Sequence, residues 1–117
     1  MDIRAISEEL QDEMNLSSMN IIIHAGNARE YNFEALDHAM EGDFEQAKEL
    51  MKKSREEITQ AHNIQTKVVQ KESQQEPYYY SMLFSHAQDT VMTIQSEYNM
   101  LEKMIAMIKL MLKKEGN

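Results

Sequence analysis

The sequence has no cysteine and no tryptophan, and only one proline and three glycines in 117 residues. Without cysteine there is no disulfide framework, no thiolate zinc site and no cysteine nucleophile. The chain suits a reducing compartment, and the cytoplasm is the expected location. Long apolar runs are missing too: the longest is Met104 to Ile108, and no basic flank followed by an apolar stretch opens the chain. Neither secretion nor direct membrane insertion is expected. Basic charge is also scarce, with 12 lysines and arginines against 20 acids and a net charge of −8. This argues strongly against a sequence-independent grip on nucleic acid, which draws its affinity from neutralised phosphates. The imbalance is local, since residues 1–47 hold eleven acids and only Arg4 and Arg29 as bases. The short basic run Lys48, Lys52, Lys53 and Arg55 is interleaved with Glu49, Glu56 and Glu57 and reads as a solvated, salt-bridged face.

What is present is helix. Hydrophobic residues make up 42% of the chain, enough for a single domain over residues 1–117. Two breaks, Gly42-Asp43 and Ser73 to Pro77, divide it into three long segments. Gly42 is expected to end the first helix and Asp43 to cap the second, in a turn tight enough to make them antiparallel neighbours. Gly26 lies inside the first segment, where it costs about 1 kcal/mol relative to alanine. With Ala25 and Ala28 it is expected to permit close helix approach.

In the second segment Phe44, Ala47, Met51, Ser54, Ile58, Ala61, Gln65 and Val68 advance by alternating steps of three and four, the mark of one helix face. The third segment carries a longer seam of the same kind from Phe84, Ala87, Val91 and Ile94 through Tyr98 and Leu101 to Ile105, Ile108 and Leu112. The fold class is all-α, an antiparallel three-helix bundle. A second stripe on the third segment runs Leu83, His86, Thr90, Thr93, Glu97, Met100, Met104, Met107 and Met111. One seam suffices for a three-helix core, so a methionine-rich second one calls for a broad internal groove or, as expected here, a subunit interface. The run Tyr78-Tyr79-Tyr80 is read as packing at the start of the third helix.

Four histidines could carry chemistry: His24, His38, His62 and His86. No Glu-x-x-His pair, His-Glu-x-x-His motif or glycine-rich phosphate loop occurs, which removes di-iron oxidases and nucleotide hydrolases. His38, among Glu34, Asp37 and Glu41, reads as a surface residue, and His24 after three isoleucines as a partly buried, satisfied one. His62, with Gln65 and Thr66 one turn on, is either packing glue or the wall of a site. His86 stands in Ser85-His86-Ala87-Gln88-Asp89-Thr90, a polar cluster on an otherwise apolar helix. Asp89 lies about 60° around the helix from His86, whereas Gln88 lies about 160° away and can serve His86 only from a neighbouring helix or subunit. Imidazole, largely neutral near pH 7, suits nucleophilic phosphoryl transfer. Spacing alone leaves a hydrogen-bonded core histidine as the other reading.

Four stretches carry a resemblance: Ala25-Gly26-x-Ala28-Arg29, Gly42-Asp43-Phe44, Ala61-His62-x-x-Gln65-Thr66 and His86-Ala87-Gln88-Asp89-x-x-Met92-Thr93. In order and spacing they resemble the lactose/cellobiose-specific enzyme IIA family of the bacterial phosphoenolpyruvate-dependent sugar phosphotransferase system. The resemblance implies a three-helix subunit assembled as a homotrimer, with His86 as the catalytic phosphate acceptor. It implies that Gln88 shapes the site, and that Asp89 of three copies holds one divalent cation, expected to be Mg2+, at the three-fold axis. His62, Gln65 and Thr90 are candidate supports for the phosphoryl group. The implied partners are phospho-HPr as donor and a IIB component as acceptor, serving uptake of a β-linked disaccharide or related sugar. One departure is visible: the family usually has a second histidine four residues after the acceptor, where this chain has Thr90. That departure motivates the alternative of a catalytically silent regulatory or scaffolding bundle.

Overall fold

The structure, a computed structural model, describes residues 3–74 and 81–115, with side chains from residue 8 onward. Three helices, α1 (Ile3–Met40), α2 (Phe44–Gln74) and α3 (Met82–Glu115), form an antiparallel bundle 73 × 17 × 17 Å in extent, and no strand occurs among the described residues. The expected three-helix architecture holds. Tyr78, Tyr79 and Tyr80 lie outside the described residues.

The α1–α2 turn forms as the sequence dictates. Gly42 takes a φ of 87°, a left-handed conformation that costs a residue without Cβ nothing. The Asp43 N–H reaches back to the His38 carbonyl (2.9 Å) and the Gly42 N–H to that of Ala39 (3.0 Å), satisfying carbonyls the helix end leaves open. Asp43 Oδ1 then accepts the Gln46 N–H at 3.2 Å and caps α2. At the other end of the bundle, Ser81 Oγ accepts the Phe84 N–H at 3.1 Å and starts α3.

The α2 and α3 seams turn inward. Ala47, Met51, Ser54, Ile58, Ala61 and Val68 are buried, as are Phe84, Ala87, Val91, Ile94, Tyr98 and Leu101. Beyond Leu101 the α3 seam runs out: Ile105 and Ile108 are half-buried, and Leu112 ends beside Gly42. α1 packs against both other helices, most broadly against α2, while α2 and α3 touch least. Its core face is built largely of Ala25, Ala28, Ala35 and Ala39, all fully buried, whose small side chains let the neighbours approach. Gly26 corrects the sequence expectation. It faces outward, and a Cβ there would meet nothing within 4 Å, so the buried alanines provide the close approach inside the subunit without it.

One polar group lies at the heart of the bundle. Ser54 Oγ donates to Asn32 Oδ1 at 2.6 Å, with the Ala28 carbonyl at 3.2 Å, and both side chains are buried. Ser54→Ala would leave the Asn32 oxygen buried without its donor, so it is expected to destabilise the fold by about 1–3 kcal/mol. Urea denaturation followed by circular dichroism checks this. Polar pairs clip α1 to its neighbours: His24 Nδ1 lies 2.5 Å from Glu57 Oε2, Glu13 meets Lys71, and Arg29 holds Glu97 with two bonds of 3.0 and 2.7 Å. The pairs with Glu13 and Glu97 are exposed, so they orient the helices more than they stabilise them.

Candidate functional site

The Ser81 cap and the seam of α3 together fix which residues face out. With Phe84, Ala87 and Val91 inward, His86 and Asp89 must point away from the core, and both are exposed. Among the described residues no side chain bonds the His86 imidazole and no cation pairs with the Asp89 carboxylate. Thr90, half-buried, donates its hydroxyl to the His86 carbonyl oxygen at 2.8 Å, and Thr93 does the same to the Asp89 carbonyl at 2.8 Å. Gln88 is half-buried, away from His86, on the flank of α3 that two turns on carries Gln95 beside Thr59 and His62 of α2.

His62 and Gln65 are not brought to His86 within one subunit. His62 lines a cleft of about 530 Å3 between α2 and α3 with Arg55, Thr59, Gln95, Asn99 and Glu102, over Ile58 and Tyr98. Gln95 to Glu102 lie roughly 14 to 24 Å along α3 from His86 at 1.5 Å per residue. Burial first, and then Glu102, pushes the Tyr98 phenol above its ordinary pKa, with Arg55 opposing. Gln65 is half-buried on the inward seam of α2. His24 is the half-buried, satisfied histidine expected, its partner being Glu57. His38 is half-buried rather than fully on the surface, because the turn folds Asp43 back to within 3.5 Å of its Nδ1.

The outward face of α3 continues past Asp89 as exposed Met92, Met100, Met104, Met107 and Met111. A second exposed apolar row, Leu16, Met19, Ile23 and Phe33, runs along α1 and was not read from the sequence. The signal was there: those residues recur at helical spacing, out of phase with the buried alanines, but a core side built largely of alanine offers no apolar seam to set them against. Arg29 and Glu97 bridge the two helices that carry these rows. Together they leave far more apolar side chain in water than scattered surface residues would.

Residues 16–109 match the family described as the lactose/cellobiose-specific IIA subunit of the PTS system. The chain is 31% identical to the lichenan-specific phosphotransferase enzyme IIA component of Bacillus subtilis, over 92% of this chain and 97% of that protein. Its fold is similar to the PTS cellobiose-specific enzyme IIA of Bacillus anthracis, with a TM-score of 0.79 and 33% identity over 85% of this chain and 91% of the other. It is also similar to IIA(Chitobiose) in its complex with HPr from Escherichia coli, with a TM-score of 0.77 and 30% identity over 84% and 95% of the two chains. With the matched segment covering most of its length, the chain belongs to the lactose/cellobiose-specific IIA family and is a phosphotransferase component of a sugar phosphotransferase system.

Proposed function

We propose that this chain is a cytoplasmic phosphocarrier that accepts a phosphoryl group on His86 from phospho-HPr and passes it to a cognate IIB component. A single observation carries the reading: His86 stands exposed on the outward face of α3, with no side chain among the described residues holding its imidazole. A donor protein can therefore reach it. A nitrogen lone pair of His86 forms the new P–N bond while the donor's P–N bond breaks and returns its electron pair to the donor imidazole. In the second step the acceptor's nucleophile takes the phosphoryl group, and His86 recovers its lone pair. The HPr complex of the chitobiose relative supports HPr as donor. Incubation with labelled phosphoenolpyruvate, enzyme I and HPr is expected to give acid-labile incorporation. A silent scaffolding bundle would incorporate nothing.

The assembly proposed is a homotrimer in which the α1 and α3 apolar rows are covered by other copies. Gln88, which faces away from the His86 of its own subunit, would then serve the His86 of a neighbouring copy, whereas the cleft around His62 stays at its own height along the bundle. Asp89 is the proposed cation ligand. No group of three metal-ligating side chains occurs within one chain among the described residues, and Asp89 is an exposed carboxylate without a lysine or arginine partner. Three copies would supply a hard oxygen donor set of the kind Mg2+ takes, with waters completing its shell. Bound there, the cation would offset the mutual repulsion of three carboxylates. Asp89→Leu is expected to keep or strengthen the trimer and to abolish any effect of chelator on its melting temperature. Wild-type stability indifferent to chelator, with Asp89→Leu dissociating the trimer, would reject the cation site.

A further inference from the structure

Of the four serines and threonines of α3, only Thr90 and Thr93 bond back to the helix among the described residues, and Ser85 and Ser96 do not. Thr90 chooses the carbonyl of the acceptor histidine. In an α-helix that carbonyl also receives the N–H of residue 90, so the His86 oxygen becomes a double acceptor. Threonine back-bonding of this kind bends a helix and slightly destabilises it. Stability therefore does not account for its position beneath the one residue that must be aimed. A hydroxyl has a single proton, and with that proton on the backbone Thr90 has none to offer a phosphoryl oxygen.

We propose that Thr90 is a positioning residue for the acceptor: its hydroxyl sets the pitch of α3 beneath His86 and acts on the imidazole through the backbone, without touching the phosphoryl group. The inference rests on His86 being the acceptor. Phosphoryl transfer depends on placing donor nitrogen, phosphorus and acceptor nitrogen in line, so a small tilt of the helix turn under the ring is felt in the rate. It also gives position 90 a task that an imidazole there would do differently, since a ring cannot make the same short bond to the carbonyl four residues back.

Two near-isosteric variants test it, with phospho-HPr as the substrate. Thr90→Val keeps the shape and removes the hydroxyl, and is expected to lower kcat roughly 3- to 10-fold with KM unchanged and no fall in melting temperature. Thr90→Ser keeps the hydroxyl and is expected to recover most of the rate. In unphosphorylated protein the 13C resonance of the His86 carbonyl should move in the valine variant and stay in the serine variant. Thr93→Val, which removes the same kind of bond one turn on, should stay within about twofold of wild type. A wild-type rate in Thr90→Val overturns the proposal, as do equal losses in the valine and serine variants, or a valine defect matched by a lower melting temperature. Labelling that survives His86→Ala would instead remove the acceptor assignment itself, whatever Thr90 does.

Discussion

His86→Ala is expected to abolish phosphoryl acceptance while leaving the helical content and melting temperature of the protein unchanged. The loss should be complete to the limit of detection, because alanine offers no nucleophile. Asp89 shares the face but is a poor replacement, since it is the ligand proposed for the cation. The structural cost should be negligible, because the imidazole is exposed and makes no side-chain bond among the described residues. His24→Ala and His38→Ala serve as controls. The first breaks the pair with Glu57 and lowers stability modestly, the second frees Asp43, and neither should reduce labelling.

The second large effect is expected at the apolar rows. Met107→Glu should convert the assembly to a folded monomer at micromolar concentration, and Ile23→Glu should do the same from α1. Both side chains are more than half exposed in the single chain, Met107 at 56% and Ile23 at 55%, so a carboxylate there stays solvated when the subunit is alone. In the proposed trimer the same carboxylate enters an apolar interface, at a desolvation cost of several kcal/mol for each copy. It also loses the methionine or isoleucine burial that contributes about 1.5–3 kcal/mol per side chain. Three copies share these losses, so association should fall by orders of magnitude while thermal unfolding of the subunit stays cooperative. Sedimentation velocity on each variant gives the answer, and a stable trimer in both would remove these rows from the interface.

The parts of the fold that the sequence made legible are those governed by local rules. The α2 and α3 seams could be read because each helix presents one continuous row at steps of three and four, and because Gly42 and Asp43 leave the turn little choice. α1 was harder: its core side is mostly alanine and its outer side carries Leu16, Met19, Ile23 and Phe33, so the hydrophobic pattern does not say which side is in. Gly26 was misplaced for the same reason. In the candidate site, the outward facing of His86 and Asp89 and the opposite flank of Gln88 follow from angles along one helix. The cleft around His62 does not, because it depends on the register of α2 against α3. The back-bond of Thr90 was likewise invisible, since a rotamer decides whether its hydroxyl faces the backbone or the ring.

The most direct measurement is to locate the phosphoryl group on the native chain. After transfer from phosphoenolpyruvate through enzyme I and HPr, the protein is digested at alkaline pH, where phosphohistidine survives, and its peptides are sequenced by mass spectrometry. One phosphoryl group per chain on His86, lost on brief acid treatment and discharged by the IIB partner, is the predicted result. A group on His24, His38 or His62, or none on any histidine of a chain that remains folded, would contradict the account.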